Sequence, residues 1–468
     1  MRKAISLIGV FLLVSAVSLP GIQKEEARLN NAFRRPAQNG WIFVHLQGTP
    51  KDIGFQHGYL LAPEIADAFR VISLELTHEN KKGWRFFRET ARDLLWPRVE
   101  NEYQEEVRGI VEGLNAKQVK MDIWDTVALN AFLELPYYVN WLNKQNPSPA
   151  GDKPSGVAER CSAFVATGSY TKDGKVVMGH NAWTSYLEGQ RWNIIYDIVP
   201  EKGYRILMDG FPGLIHSADD FGINSAGILI TETTISGFSG WNSYGVPEFV
   251  RARKAMQYSA SIEDFAGIMK TGNNGGYANN WLVADRNSNE IASLELGLKN
   301  VTLLRKKDGY FSGANFPVSE KLISEETNVD PADMSFGANA RRVRWEQLMA
   351  ENKGKIDAAA GQKFLADHWD TFDKKEEPNE RTLCGHIDLS PRGVKGWQEP
   401  FGIAGAVQAK VADATMAEQM SLMAAMGHPC GLAFKAAPHL RRHPEFNWQN
   451  KYLRDLNSRP WTLFSIDK

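Results

Sequence analysis

Residues 146–186 read NPSPAGDKPSGVAERCSAFVATGSYTKDGKVVMGHNAWTSY, and the change of pattern inside this stretch decides the architecture. From Asn146 to Gly156 the chain is built of Pro, Gly, Ser and Asp, which neither continue a helix nor pair as a strand. Residues 162–170 then read as a strand, Lys172-Asp173-Gly174 as a tight turn and 175–179 as the returning strand. Cys161 therefore stands at the first position of a strand, behind a turn-rich linker and ahead of the small residues Ser162 and Ala163.

Moving outward, residues 41–141 show helical periodicity, with long amphipathic stretches at 64–74 and 96–114. On the other side, strand signals recur at 192–199, 204–208, 227–233, 281–285, 290–296 and 301–304. A helix opened by Pro247 and another opened by Ser261-Ile262-Glu263-Asp264 interrupt them. Beyond Asn315 the pattern returns to helices at 340–351, 358–368 and 412–426, with an irregular stretch over 374–405. Hairpins segregated from helices predict an α+β fold, antiparallel sheets with helices packed on them. The expected organisation is a signal peptide over 1–22, a helical segment over 23–145, a linker over 146–160 and a core with C-terminal helices over 161–468.

The chain of 468 residues is long enough for one large core or two ordinary ones, and its formal net charge of −1 creates no global field for nucleic acid. Met1-Arg2-Lys3 followed by an apolar run over 4–19 reads as a secretory signal peptide, the alternative being an uncleaved anchor. No later stretch has the roughly 20 apolar residues a membrane span requires. The mature protein is expected outside the cytoplasm, periplasmic or secreted, with no stable membrane span.

Three cysteines in an oxidising compartment leave one without a partner. Cys384 and Cys430 are the disulfide candidates, two buried free thiols being the other reading, and Cys161 remains as the reactive thiol. His386 and His428 stand beside these late cysteines, but no paired Cys-x-x-Cys signature accompanies them, so neither metal nor cofactor is expected. An internal cysteine has an amide nitrogen that cannot accept a proton. Cleavage of the Arg160–Cys161 bond would turn it into an α-amine of pKa about 8, able to activate the adjacent thiol. A buried, inert cysteine is the alternative.

The run Arg160-Cys161-Ser162-Ala163-Phe164, with Lys172-Asp173-Gly174 and Gly179-His180-Asn181-Ala182-Trp183-Thr184-Ser185-Tyr186, resembles the nucleophile segment of the phospholipase B-like family. That family is related to the acyl-coenzyme A:6-aminopenicillanate acyltransferases and, more distantly, to choloylglycine hydrolases, all N-terminal nucleophile (Ntn) hydrolases. The resemblance extends to Gly54-Phe55-Gln56-His57-Gly58, Tyr277-Ala278-Asn279-Asn280-Trp281 and Gly427-His428-Pro429-Cys430. It implies a four-layer αββα sandwich with additional helical segments, and self-cleavage before Cys161.

The resemblance also implies roles. Asn279 matches the asparagine held near the amine and the oxyanion, and Thr234, with Thr233, occupies the segment that supplies a second oxyanion donor. The arginine cluster of Asn339-Ala340-Arg341-Arg342-Val343-Arg344-Trp345 resembles the place where choloylglycine hydrolases carry an arginine near the nucleophile, Arg342 being the substrate-binding candidate and helical salt bridges the alternative. His180 and Asn181, on the strand returning beside Cys161, are candidates to tune the thiol or orient substrate. Where choloylglycine hydrolases anchor the new amine with an aspartate, the simplest register puts Trp183, so Asn181 or Thr184 is the substitute. Trp183, Trp281, Tyr186 and Trp241 are candidate aromatic linings of an acyl pocket. His57 is expected to shape the pocket or support self-cleavage.

The function so implied is a cysteine Ntn hydrolase acting on a small-molecule or lipid acyl ester or amide, with phospholipase B-like lipid hydrolysis favoured. An acyltransferase passing the acyl group to an amine, and a noncatalytic binding protein retaining the fold, are the alternatives.

Overall fold

The computed structural model describes residues 27–145, 161–218 and 221–467. The expected signal peptide over 1–22, the linker over 146–160 and with it Arg160 lie outside the described residues.

Two sheets form the centre. The larger has the order β1-β2-β5-β6-β7-β8-β9-β10-β11, where β1 is Phe33–Arg34, β2 Ile42–Gly48, β5 Ile194–Pro200, β6 Ile206–Gly210, β7 Phe221–Asn224, β8 Ile228–Thr234, β9 Asn279–Asp285, β10 Glu290–Leu296 and β11 Val301–Lys306. The smaller has the order β12-β3-β4-β15-β16-β17, with β3 Cys161–Thr167, β4 Val177–Ser185, β12 Gly309–Gly313, β15 Ala404–Asp413, β16 Ser421–Met426 and β17 Thr462–Ser465. A short ribbon of β13 (Trp369–Asp370) and β14 (Lys375–Glu376) stands apart. All neighbours pair antiparallel except β2 and β5, which run parallel.

Side chains of a strand alternate between faces, and here that alternation sorts the core into layers. Ala163 and Val165 of β3 join Met178, Leu207, Ile223, Leu229 and Leu282 in the core between the sheets. Phe164 and Ala166, turned the other way, pack with Trp345, Phe364 and Leu365 of the outer helices. On the far face of the larger sheet Ile194, Tyr196, Ile206 and Ile230 meet helices that include Pro50–Leu60, Ala62–Asn80 and Asn101–Ala116. The result is helix, sheet, sheet, helix, the expected four layers. Among the described residues no helix is long and apolar enough to cross a membrane.

Local signals for helix starts hold: Pro247 precedes the helix Glu248–Tyr258, and Ser261 Oγ accepts from the Asp264 N–H at 3.1 Å. Two expectations need correction. Residues 412–426 are not one helix: β15 ends at Asp413, a short helix Ala414–Glu418 turns the chain, and β16 follows. Ala and Met in that run favour a helix locally, but burial between the sheet's neighbours decides the conformation. Nor is the amino-terminal segment only helical, because β2 adds to the larger sheet beside β5. Its residues Ile42, Val44 and Leu46 are buried, so this segment is continuous with the core.

Candidate functional site

Cys161 begins β3, opposite Ala182 of β4, and is almost fully buried. On its other side β12 pairs with β3 as far as Gly313↔Ala163, so Ala314 and Asn315 run past the start of β3. Asn315 adopts a φ of 69°, a left-handed conformation that asparagine tolerates better than most residues. Its side chain is fixed on both ends. Oδ1 accepts the Cys161 N–H at 3.3 Å and an Arg341 N–H at 3.1 Å, while Nδ2 donates to the Thr234 carbonyl at 2.8 Å.

Arg341, on the helix Gly337–Glu351, is fully buried. Its guanidinium donates to the Cys161 carbonyl at 2.7 Å and to Ser162 Oγ at 3.1 Å, and stacks over the Trp183 ring with 4.1 Å to the centroid. A planar fork with donors on three edges suits this convergence of acceptors.

The end of β8 and the start of β9 supply the next shell, with Thr234 paired to Asn279 and Glu232 to Trp281. The Asn279 amide nitrogen, oriented by its neighbours, lies 3.0 Å from Glu232 Oε2 and 2.9 Å from the Ala278 carbonyl. Tyr277, at a φ of 53°, donates its hydroxyl to Glu232 Oε1 at 3.0 Å and accepts from Thr234 Oγ1 at 2.9 Å. A non-glycine residue held in that region carries strain that the surrounding bonds must offset. Asn279, Thr234, Tyr277 and Glu232 therefore form one buried network, joined to Cys161 through Asn315.

Beside it opens a cleft of about 310 Å³ lined by Tyr137, Trp141, Phe238 and Phe336, with Lys144, Asp330 and Lys395 among its polar residues. Ser236 in its wall donates its N–H to the Asn315 carbonyl at 3.0 Å, and Phe336 immediately precedes the helix that carries Arg341.

Several sequence expectations are relocated. Arg342 faces outward and pairs with Glu346 one turn on, so the arginine at Cys161 is its neighbour Arg341. Helical spacing of 100° per residue puts adjacent side chains on different faces. Asn181 is opposite Ser162, on the outer face of β4, and donates to the carbonyls of Leu365 and Leu383. Thr184 is engaged with Glu188 at 2.7 Å. Neither meets the Cys161 nitrogen; Asn315 does.

His180 lies opposite Ala163 and Lys410, one step deeper between the sheets than Cys161. Burial, reinforced by the Lys410 ammonium, holds its pKa well below the ordinary imidazole value, so it is neutral. Lys410 itself is paired at 3.0 Å with Asp209 of β6, a buried charge pair bridging the two sheets. Trp281 packs edge-on against Phe265 in the helical layer and Trp183 sits among Cys384, Ile387 and Ala406. Tyr186 is buried and donates to Asp388. These three are core, and the aromatic lining comes from other residues. His57 is also core: its Nε2 accepts the Gly213 N–H at 3.1 Å and lies 2.8 Å from the Tyr196 hydroxyl.

The expected disulfide is absent. Cys384 and Cys430 carry thiols, each with Sγ 3.4 Å from Nε2 of His386.

Residues 76–296 match the family model for Phospholipase B. The putative phospholipase B-like 2 of Mus musculus is 24% identical over 351 residues, covering 66% of this chain and 56% of that protein. Phospholipase B-like 1 of Homo sapiens is 23% identical over 436 residues, 80% of this chain and 74% of that protein. An uncharacterised protein of Archaeoglobus fulgidus is 25% identical over 247 residues, half of this chain and 39% of its own length. The chain thus spans about two fifths of the archaeal relative and just over half of the mouse one. Two crystal structures of variants of a conjugated bile acid hydrolase from Clostridium perfringens align over 56% of this chain and 88% and 89% of theirs, with TM-scores of 0.32 and 0.33 at 11% and 13% identity. The chain is thus similar over part of its length to the phospholipase B-like proteins, the family that its Cys161 and Asn279 segments resemble.

Proposed function

We propose that this protein is a cysteine N-terminal nucleophile hydrolase, activated by its own cleavage before Cys161 and acting on acyl esters or amides, with lipid acyl groups favoured. The observation that carries this reading is the grip on Cys161: Asn315 holds its nitrogen and Arg341 its carbonyl, beside an aromatic-lined cleft. Any buried N–H or C=O needs a partner, but at Cys161 these two partners are side chains brought from 154 and 180 positions away.

In the maturation step the Cys161 sulfur attacks the Arg160 carbonyl. The carbon–nitrogen bond breaks, the nitrogen takes a proton to become an amine, and water hydrolyses the resulting thioester to leave the Arg160 carboxylate and a free thiol. In turnover the Cys161 amine accepts the thiol proton as sulfur attacks the substrate carbonyl. The developing oxyanion is met by the Asn279 amide, whose contact with the Ala278 carbonyl the substrate replaces while Glu232 keeps the group oriented. The ammonium then returns its proton to the departing alcohol or amine, and water releases the acyl group by the same route. Arg341 and the Cys161 nitrogen share Asn315 Oδ1 as acceptor, which fixes the nitrogen beside the guanidinium.

Amino-terminal sequencing after denaturing electrophoresis tests the reading. A large fragment beginning Cys161-Ser162-Ala163-Phe164 is expected in wild type and none in Cys161→Ala. Folded, uncut wild-type protein that still hydrolyses esters would sink the mechanism. Phospholipids and N-acyl amides, assayed with and without an added amine, then identify the acyl donor and show whether water or the amine takes the acyl group.

A further inference from the structure

Four side chains from three segments of the chain converge behind Trp183. His368 follows the helix Ala358–Leu365, Cys384 and His386 flank Gly385, and Cys430 lies in the turn after β16. Nε2 of His386 is 3.4 Å from Cys384 Sγ, 3.4 Å from Cys430 Sγ and 3.3 Å from His368 Nε2, and the four atoms all lie within 4.8 Å of one another. One imidazole nitrogen offers one lone pair or one proton, so it cannot satisfy three partners by hydrogen bonding. A cation at their centre satisfies all four. Tetrahedral zinc, with Zn–S about 2.3 Å and Zn–N about 2.0–2.1 Å, sets ligand atoms about 3.3 to 3.8 Å apart.

We propose that His368, Cys384, His386 and Cys430 bind one Zn²⁺ as a closed, structural site. Two thiolates and two imidazoles fit zinc better than a hard, oxygen-seeking cation, and four protein ligands leave no open position for substrate. On binding, each cysteine gives up its thiol proton. The surroundings hold the imidazoles in place: His428 stacks on His386 with ring centroids 4.1 Å apart, and His386 Nδ1 faces Asp388 Oδ1 at 3.9 Å. Tyr186 donates to Asp388 at 2.6 Å and lies 2.9 Å from His428 Nε2. Such outer partners orient ligating histidines.

The site ties the 366–386 loop to the turn after β16. Gly385, between two of the ligands, lies so close to Trp183 that a Cβ there would come within 2.3 Å of the ring. Trp183 in turn carries the guanidinium of Arg341. The metal therefore braces the wall behind Cys161 without touching the cleft.

Full-length protein produced with added zinc is expected to hold one zinc per chain by mass spectrometry of the metal, released by a mercurial that titrates its thiols. Cobalt exchanged for zinc should give a thiolate charge-transfer band and the visible bands of a tetrahedral centre. Cys430→Ser and His368→Gln should each lower bound metal at least tenfold, whereas Cys161→Ala keeps it in full. If Cys430→Ser does not fold, the wild-type cobalt spectrum and His368→Gln carry the test. Folded wild-type protein that neither holds nor takes up zinc or cobalt, or a non-reduced mass showing Cys384 joined to Cys430, overturns the site.

Discussion

At the scale of single residues, the role proposed for Cys161 rests on two side chains, Asn315 and Arg341, that grip its backbone. Cys161 announced itself by standing at a strand start behind a linker, a local property. Asn315 and Arg341 meet it from 154 and 180 positions away, and no spacing rule links them. Asn315 follows β12, a strand that pairs with β3 and that the local sequence signals did not single out. Replacing Asn315 by Ala should cut kcat by about 10²-fold with little change in KM, since what is lost is orientation of the reacting group. Asn315→Asp should retain more activity and move the acid limb of the pH–rate profile upward, because a carboxylate stabilises the ammonium form. Arg341→Lys is expected to cost about 10²-fold, as an ammonium cannot span the three acceptors around Cys161 that the guanidinium reaches, whereas Arg342→Ala should leave kcat/KM within about twofold. Equal effects at 341 and 342 would contradict the placement.

At the scale of elements, glycines record where backbones touch. Gly54 and Gly58 on the helix Pro50–Leu60 face Gly109 and Gly113 on the helix Asn101–Ala116. A Cβ on Gly54 would come within 1.9 Å of the Glu106 carbonyl oxygen, and one on Gly109 within 2.3 Å of the Lys51 oxygen. The run Gly54-Phe55-Gln56-His57-Gly58 stood out in the sequence, but the helix its glycines pack against did not. Gly109→Ala should destabilise by about 3 kcal/mol or more in urea unfolding. Gly267→Ala, in the helix Ile262–Lys270 with nothing within 4 Å of the added atom, should be neutral or stabilising by up to about 1 kcal/mol. A neutral Gly109→Ala would refute the contact. Of the carboxyl-terminal helices, those expected at 340–351 and 358–368 form within a few residues of their bounds, whereas the Ala- and Met-rich run at 412–426 takes its conformation from the strands around it.

At the scale of the whole molecule, buried ionisable groups set the pH dependence. Burial lowers the His57 pKa from an ordinary 6.5 to about 3, with Arg253 adding to the effect. Below pH 6.5 the unfolded chain takes up a proton that the native imidazole refuses, so this stability is present above 6.5 and is lost as pH falls toward 3. Glu106 behaves oppositely: burial raises it from 4.5 to about 7 despite its Arg253 partner at 3.2 Å. The native state keeps a proton that the unfolded chain releases above 4.5, and that stability is lost as pH rises through 7. Urea unfolding across pH should therefore show an acid limb flattened in His57→Gln and a decline between pH 4.5 and 7 flattened in Glu106→Gln. An unchanged profile in both variants would refute the assignment.

By itself the sequence determined the strand that begins at Cys161, the hairpins after it, the helix starts at Pro247 and Ser261, and the sandwich implied by the family resemblance. Each rests on neighbours along the chain or on motifs quoted whole. The tertiary structure alone decided which arginine reaches Cys161, that Asn315 rather than Asn181 holds its nitrogen, that Trp183 and Trp281 are core, and that Cys384 and Cys430 converge on His368 and His386. These depend on which faces of distant elements meet, and a sheet crossing or a helix turn of one residue reverses the answer while leaving the local pattern unchanged.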